Sequence, residues 1–437
     1  MFFNVLKSPT MHKYPAALAT AMKVLVEAYG CTLNRGEAEE FSDGLLAMGH
    51  SIAESQTEAD AFALFTCGVI EITERHMLKR ISELASLPGK KLIVCGCLPN
   101  ISPKKIRSMA PNAHIVGTGD HMAALAEFTV GEAALQFQRV SSVGILPIAT
   151  GCMGHCSYCV TKEARGSLQS RKPDRITERM RQLLRAGAAE IQLCAQDTAV
   201  YGNDIGTDLW RLVELLGAET GKSMIRIGMM NPASVRNGMD TVLKAYAHPK
   251  VFKFLHLPVQ SGSDEVLGRM GRRHTVSDFE TIVDRFRSEI PDLSLSTDII
   301  LGFPGETDDD FRLSLELMER VKPDIINITR FSSRPGTEAH NMKPKVPSRI
   351  AKDRSRIMTE QRFRLTEGNY TRFEGRILKA LATERRMPGS TFFRTPEYKP
   401  IVVAGEHELG KWHSVMVNGR EKTHLCGSLI KTEIKQN

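Results

Sequence analysis

The sequence has no apolar stretch long enough to cross a bilayer; charge or glycine cuts every hydrophobic run well short of the roughly 20 residues a spanning helix needs. Secretion is not expected either. The opening MFFNVLKSPTMHKYPAALATAM carries small residues, but Lys7, Pro9, His12, Lys13 and Pro15 break any apolar signal core. These absences predict a soluble, cytoplasmic protein with no membrane partner, and they leave residues 1–21 as an extension without assigned function. Internal repeats and low-complexity tracts are also lacking. With hydrophobic residues at 42% and charged residues at 25%, wholesale disorder is excluded. A chain of 437 residues holds two to four domains at roughly 100–200 residues each, so a small disulfide-stapled scaffold is excluded.

What the chain does have is thiol. Nine cysteines without a secretory signal point away from a disulfide framework and toward thiolates that bind metal or react. The net charge of +8 is mild and compatible with a polyanionic partner.

Three apolar runs in the first hundred residues read as buried parallel strands, and each runs into cysteine: MKVLVEAYG before Cys31, AFALF before Cys67, KLIV before Cys95 and Cys97. Helical spacing separates them, with Phe41, Leu45 and Met48 on one stripe and Met77, Ile81 and Leu84 on another. Strand–helix–strand repetition predicts a parallel sheet with its strand C-termini along one edge, where ligands bind. Cys31, Cys67 and one of Cys95 and Cys97 should therefore converge. The competing reading is three small buried core residues.

From Gly144 six further strand candidates appear, GILPIAT, EIQLCA, MIRIGM, KFLHLP, LSLSTDIILG and DIINITRF, with helical segments between most of them. Six such units predict a partial barrel with its chemistry at the strand C-terminal mouth. A basic stretch with Arg349, Lys352, Arg354, Arg356, Arg362, Arg364 and Arg372 then leads into short strands such as RILKALA, PIVVA and HSVMVNG, which predict a small all-β barrel. The fold class is thus α/β with an all-β C-terminal unit.

Cys152, Cys156 and Cys159, in GCMGHCSYC, follow the first barrel strand. Three thiolates on one loop can hold three irons of a cubane and leave the fourth open to another ligand. Zinc is the competing occupant, with His155 the sole candidate for a fourth ligand, and the spacing matches structural zinc pairs poorly. Gln196 and Asp197, after the second strand, can face a bound ligand at the mouth. So can His256 and Gln260 near the end of the fourth strand, and the Gly302 backbone in the GFPGET turn after the fifth. Cys95, Cys194 and Cys426 read as structural.

The C-x3-C-x-aromatic-C loop resembles the radical S-adenosylmethionine (SAM) superfamily, in which the open iron chelates the methionine end of SAM and an aromatic residue, here Tyr158, packs near the adenine. YGCTLN, FTCGV and CGCLP narrow the resemblance to the methylthiotransferases. Their N-terminal domain carries a second [4Fe–4S] cluster, whose ligands correspond to Cys31, Cys67 and Cys97 because the third motif ends in Gly-Cys. The resemblance implies three domains: 22–135 with the auxiliary cluster, 138–372 as the radical SAM core, and 373–437 as an RNA-binding TRAM-like barrel. It also makes Gly302 part of the adenine side of the SAM site. TKEARGSLQS, YGNDIGTDL, RIGMMNP, FLHLPVQSGSDEVL, TDIILGFPGETDDDF and SSRPGT are most similar to the archaeal and eukaryotic branch, which acts on N6-threonylcarbamoyladenosine (t6A) in tRNA. Two positions depart from the family pattern: Phe65 replaces an asparagine, and Gly36 replaces an acidic residue.

The resemblance implies two clusters, SAM, a one-electron reductant such as ferredoxin or flavodoxin, and a tRNA partner; it leaves the sulfur donor open. One SAM methylates a sulfur on the auxiliary cluster, and a second yields the radical that takes hydrogen from adenosine C2. Arg385, Arg386, Arg394, Lys399 and Lys411 are the expected RNA contacts, and Arg165, Arg330 and Arg334 are candidate partners for the threonyl carboxylate. Competing readings are a methylthiotransferase for isopentenyladenosine tRNA or for a ribosomal protein, and a non-catalytic iron–sulfur RNA-binding regulator.

Overall fold

The computed structural model describes residues 21–128, 142–385 and 388–430. The expectation for the N-terminal extension, apart from residue 21, and that for Arg386 lie outside them. No helix among the described residues is long and apolar enough to cross a membrane.

The first unit is a five-stranded parallel sheet in the order Ser51–Ile52, Lys23–Ala28, Ala61–Thr66, Lys91–Gly96, His114–Ile115. Alternation sorts its central strand into two cores. Phe62 and Leu64 meet Met77, Ile81 and Leu84 of helix Glu71–Ala85. Ala61, Ala63 and Phe65 meet Phe41 and Leu45 of helix Thr32–Ala47 on the opposite face. Phe65 is wholly buried, edge-on to Phe41 with ring centroids 5.6 Å apart, so the departure at this position is a core aromatic.

The second unit contains the six expected parallel strands, Val143–Pro147, Glu190–Cys194, Met224–Ile227, Phe254–His256, Ser294–Leu301 and Ile325–Arg330. They form two three-stranded sheets joined by a parallel bridge between Ile225 and Val251 and by Met230 N–H donating to the His256 carbonyl. The strands follow one another in chain order, so the first and sixth are the free edges of an incomplete barrel. Leu255, Leu257, Leu295, Ile299, Leu301 and Ile326 point outward into the helices. His256, Asp298 and Asn327 alternate to the inner face, where Asp298 accepts from His256 Nε2 at 2.9 Å and Asn327 Nδ2 at 2.8 Å.

The first unit spans the free edges. Helix Thr32–Ala47 lies on the first barrel strand, and a Cβ at Gly36 would sit 2.7 Å from Ile145 Cγ2. Only glycine lets the helix approach this closely, which explains the second departure from the family pattern. On the other edge, Glu71 N–H donates to Ser332 Oγ, and Arg334 forms a buried ion pair with Glu74.

Helix Ser348–Thr371 leads to a closed barrel of Ile377–Glu384, Ser390–Arg394, Pro400–Ala404, Leu425–Leu429 and Trp412–Arg420. Two of these strands, Ser390–Arg394 and Leu425–Leu429, carry too little alternation to stand out in the sequence. This barrel covers the strand N-terminal end of the second unit. Tyr398 inserts between Phe252 and Phe254, each centroid 4.9 Å away, and donates to Glu190 Oε1 at 2.6 Å. Ser142 Oγ donates to the Thr383 carbonyl, Lys253 N–H to that of Pro396, and the buried Lys399 ammonium to Asp324.

Candidate active site

The strand C-terminal ends carry both cysteine triads. Gly151 begins the loop with φ +79°, and a Cβ there would fall 1.9 Å from the Ser167 carbonyl oxygen. The ribbon of Ala149–Thr150 and Gln169–Ser170 closes the loop's base. Cys152, Cys156 and Cys159 line one cavity of about 250 Å³. Each sulfur has an N–H donor: Gly154 N–H to Cys152 at 3.2 Å, Arg272 Nη1 to Cys156 at 3.5 Å, and Thr161 N–H to Cys159 at 3.4 Å. Donors on all three sulfurs stabilise the anionic thiolates a cluster requires, against the burial that raises the Cys152 and Cys159 pKa values. His155 lines the same cavity, is exposed, and has its Nε2 3.2 Å from Lys162 Nζ. Among the described residues no three His, Cys, Asp or Glu side chains are placed to hold a single metal ion. A cluster does not require that, because its thiolates bind different irons.

Cys31, Cys67 and Cys97 each follow a strand of the first sheet. A Cβ at Gly30 would lie 2.8 Å from Cys67 Sγ, and Gly96, φ +90°, brings Cys97 N–H to the Thr66 carbonyl at 2.9 Å. A negative charge on Cys31 raises the pKa of both Cys67 and Cys97, and one on Cys67 raises that of Cys97. Burial pushes Cys97 up to about 11 and raises Cys67, while the Arg165 guanidinium pulls both back. Arg165 comes from the short helix Thr161–Arg165 after the other triad. Its fork donates to Glu37 Oε1 at 2.7 Å and Oε2 at 3.0 Å, and to Asn34 Oδ1 at 2.5 Å. Asn34 in turn donates to the carbonyls of Tyr29 and Thr66, both at 2.8 Å, beside the turns that carry Cys31 and Cys67. Both triads therefore fit clusters by donor set and surroundings. Cys95 and Cys194 are buried thiols apart from the triads, with Cys95 raised to about 12 by burial, and Cys426 is half-buried.

A second cavity of about 290 Å³ opens on the other side of the cluster loop, lined by Met153, Cys156, Asp197, Asn231, Ser234 and Arg272 among others. Asp197 accepts from Ser234 Oγ at 2.6 Å and from the Asn231 and Ala199 amides at 3.1 and 3.2 Å. Burial nevertheless raises its pKa. Gln196 Oε1 is buried without a partner. Gln196 does not line this cavity, whereas Asp197, Asn231, Ser234 and Arg272, together with the loop, offer a small zwitterion both charged and neutral hydrogen-bonding partners. Asn231, Ser234 and Arg272 were not foreseen; the Asn-Pro pair in RIGMMNP and the paired arginines after Gly271 were the available signals.

Several sequence expectations change. The Gly302 N–H is already engaged, donating to Glu306 Oε2 at 2.7 Å, and a Cβ there would sit 2.7 Å from that of Ala351. The GFPGET turn instead anchors the linker helix, with Glu306 paired to Arg354. Tyr158 packs edge-on to Phe303 of that turn at 6.2 Å. Arg165 and Arg334 are committed to buried carboxylates, whereas Arg330 is exposed at the end of the sixth strand with no carboxylate partner among the described residues. Lys399 is buried against Asp324 and cannot reach solvent RNA. Arg385 and Lys411 are exposed beside Glu406 and Glu408, and Arg394 stacks on Tyr398 at 4.5 Å.

Residues 146–318 match the radical SAM superfamily, and residues 23–117 match uncharacterized protein family UPF0004. A probable threonylcarbamoyladenosine tRNA methylthiotransferase of Pyrococcus horikoshii is 39% identical over 426 residues, covering 94% of this chain and all of the relative. The Methanocaldococcus jannaschii protein of the same name is 36% identical over 96% of this chain and all of its own length. The human threonylcarbamoyladenosine tRNA methylthiotransferase is 35% identical over 77% of this chain and 62% of its own. Among solved structures, the radical SAM methyltransferase TsrM of Kitasatospora setae, with cobalamin and a [4Fe–4S] cluster, aligns with a TM-score of 0.53 at 12% identity over 74% of each chain. Carrying both matched domains and this level of identity across almost its whole length, the chain belongs to the archaeal and eukaryotic family of radical SAM tRNA methylthiotransferases.

Proposed function

We propose that this enzyme converts t6A at position 37 of tRNA to its 2-methylthio derivative, with one [4Fe–4S] cluster on each triad and SAM in the cavity beside the cluster loop. One observation carries the reading: two separate cysteine triads stand at the strand C-terminal mouth, linked through Arg165. The clusters and SAM supply the one-electron and sulfur chemistry that no side chain provides, on reduction by a partner such as ferredoxin or flavodoxin. The chain's own residues bind and orient. Asp197 and Asn231 offer hydrogen bonds to SAM, and the N–H donors on the sulfurs hold the thiolates. Arg330, the one candidate cation left without a carboxylate, faces the threonyl carboxylate as a charge-assisted donor. The t6A substrate follows the relatives' names, and the TRAM-like role of the C-terminal barrel follows its closed five-stranded form.

The experiment offers the reduced, reconstituted enzyme three tRNAs bearing t6A, isopentenyladenosine or unmodified adenosine, with nucleosides read by mass spectrometry. Methylthiolation of the t6A tRNA alone is expected, and Arg330→Gln should raise KM for it about tenfold with little change in SAM cleavage, the loss of one charge-assisted hydrogen bond. Preference for the isopentenylated tRNA would overturn the substrate. Absence of 5′-deoxyadenosine on reduction would instead leave a non-catalytic RNA-binding protein.

A further inference from the structure

The cations of the C-terminal third divide into two sets. About half of those among the described residues have acidic partners, among them Arg364 with Glu319, Arg420 with Glu367 and Glu374, Lys399 with Asp324, and Lys411 with Glu408. Arg362, Arg394 and Lys422 have no carboxylate partner among the described residues, and all three line one cleft of about 400 Å³ between helix Ser348–Thr371 and the closed barrel. The single acid in its lining, Asp324, is taken by Lys399. Three like charges gathered without a counter-ion repel one another, and the repulsion is relieved when an anion enters. Arg394 Nε is also buried with no hydrogen-bond partner.

Aromatic rings hold these cations in place of acids. Arg362 and Lys422 lie over Phe363 at 5.4 and 5.3 Å, and Arg394 over Tyr398 at 4.5 Å. Phe392 and His424, with ring centroids 6.2 Å apart, form part of the same wall. Cations that track a phosphate beside rings that accept a base are the chemistry of single-stranded RNA recognition.

We infer that this cleft binds an unpaired nucleotide of the RNA substrate, its phosphate on Arg362, Arg394 and Lys422 and its base against Phe392 and His424. This rests on the reading of tRNA as substrate. The cleft meets the sixth barrel strand at Asp324 and Ile325, whereas Arg330 ends that strand at the mouth. At about 3.3 Å per residue the two lie roughly 20 Å apart, so the bound nucleotide is not the one modified. The proposed grip on the RNA therefore lies in the seam between linker helix and barrel.

The test measures tRNA affinity by fluorescence anisotropy over a salt series, with wild type, Arg362→Gln/Lys422→Gln and Phe392→Leu. Arg394 is left intact because it packs on Tyr398. The double variant should lose about tenfold near 0.15 M salt, and the slope of log K against log salt should flatten by about 0.7, one single-strand phosphate's worth. Phe392→Leu should lose about tenfold with the slope unchanged, because stacking releases no counterions. SAM cleavage without RNA should stay at the wild-type rate in both variants, which confirms folding. Wild-type affinity and slope in both variants would overturn the cleft while leaving tRNA as substrate. Failure of the wild type itself to bind tRNA would overturn the underlying reading.

Discussion

Arg165→Met removes a buried side chain that reaches from the segment after the radical SAM loop to the residues beside the auxiliary triad. The Arg165 side chain is 1% exposed and that of Glu37 4%, so the substitution strands a buried carboxylate and leaves Asn34 Oδ1 without its donor. Breaking a buried pair from one side costs about 3–5 kcal/mol, and the orphaned amide oxygen about 1 more. An expected loss of about 5 kcal/mol, at an m-value near 2.5 kcal/mol/M, moves the urea midpoint of the cluster-free protein down by about 2 M. Glu37→Met should cost a similar amount. The double variant Arg165→Met/Glu37→Met, with no charge left in the seam, should recover most of the loss. The assay is urea unfolding followed by tryptophan fluorescence and far-UV circular dichroism, whose coincidence tests whether the units unfold together. A single variant unfolding within about 0.5 M of wild type, or a double variant whose loss is the sum of the two singles, would refute the claim that this pair latches the seam.

Three further outcomes follow from the same geometry. Burial pushes the Glu40 carboxyl up, but hydrogen bonds from His121 and Arg171 outweigh it and hold the pKa at about 2. Its contribution, about 3 kcal/mol at one pKa unit per 1.4 kcal/mol, is present above pH 4.5 and lost as pH falls through 2. Glu40→Gln should therefore be less stable than wild type at pH 6 and converge with it below about pH 2, as urea midpoints across pH will show. Iron analysis after anaerobic reconstitution should give about eight irons per chain, and about four in Cys152→Ala/Cys156→Ala/Cys159→Ala; SAM cleavage surviving in that variant would reassign the loop. Gly36→Ala places a methyl 2.7 Å from Ile145 Cγ2 and should cost about 1–3 kcal/mol by overpacking, read as a lower urea midpoint.

Strand ends, cysteine spacing and order along the chain were legible in sequence because each leaves a local pattern. The six core strands are short apolar runs with turn residues after them, and Cys31, Cys67 and Cys97 sit one to three residues past strand ends. What was not legible depends on partners far away in the chain. Arg165 looked like a free cation at the mouth, yet its partner Glu37 lies 128 residues earlier. Lys399 looked like a surface contact for RNA, but Asp324 draws it into the interior. Glycine in GFPGET suggested an open backbone, and the acceptor that occupies its N–H is a glutamate four residues on, whose own orientation depends on Arg354 of the linker helix. Charge and glycine report only a capacity, and tertiary packing decides its use.

The closed barrel beneath the core also sets a timetable for synthesis. Asp324 and its ammonium are 75 residues apart, and at about 5–20 residues per second the ribosome takes roughly 4–15 s to deliver that counter-ion. During this interval Phe252 and Phe254 have no Tyr398 between them, and Asp324 is an unpaired acid at the edge of an apolar floor. A nascent chain paused before residue 398 is thus sticky on its underside, and a product ending at the linker helix should aggregate rather than persist as an active core.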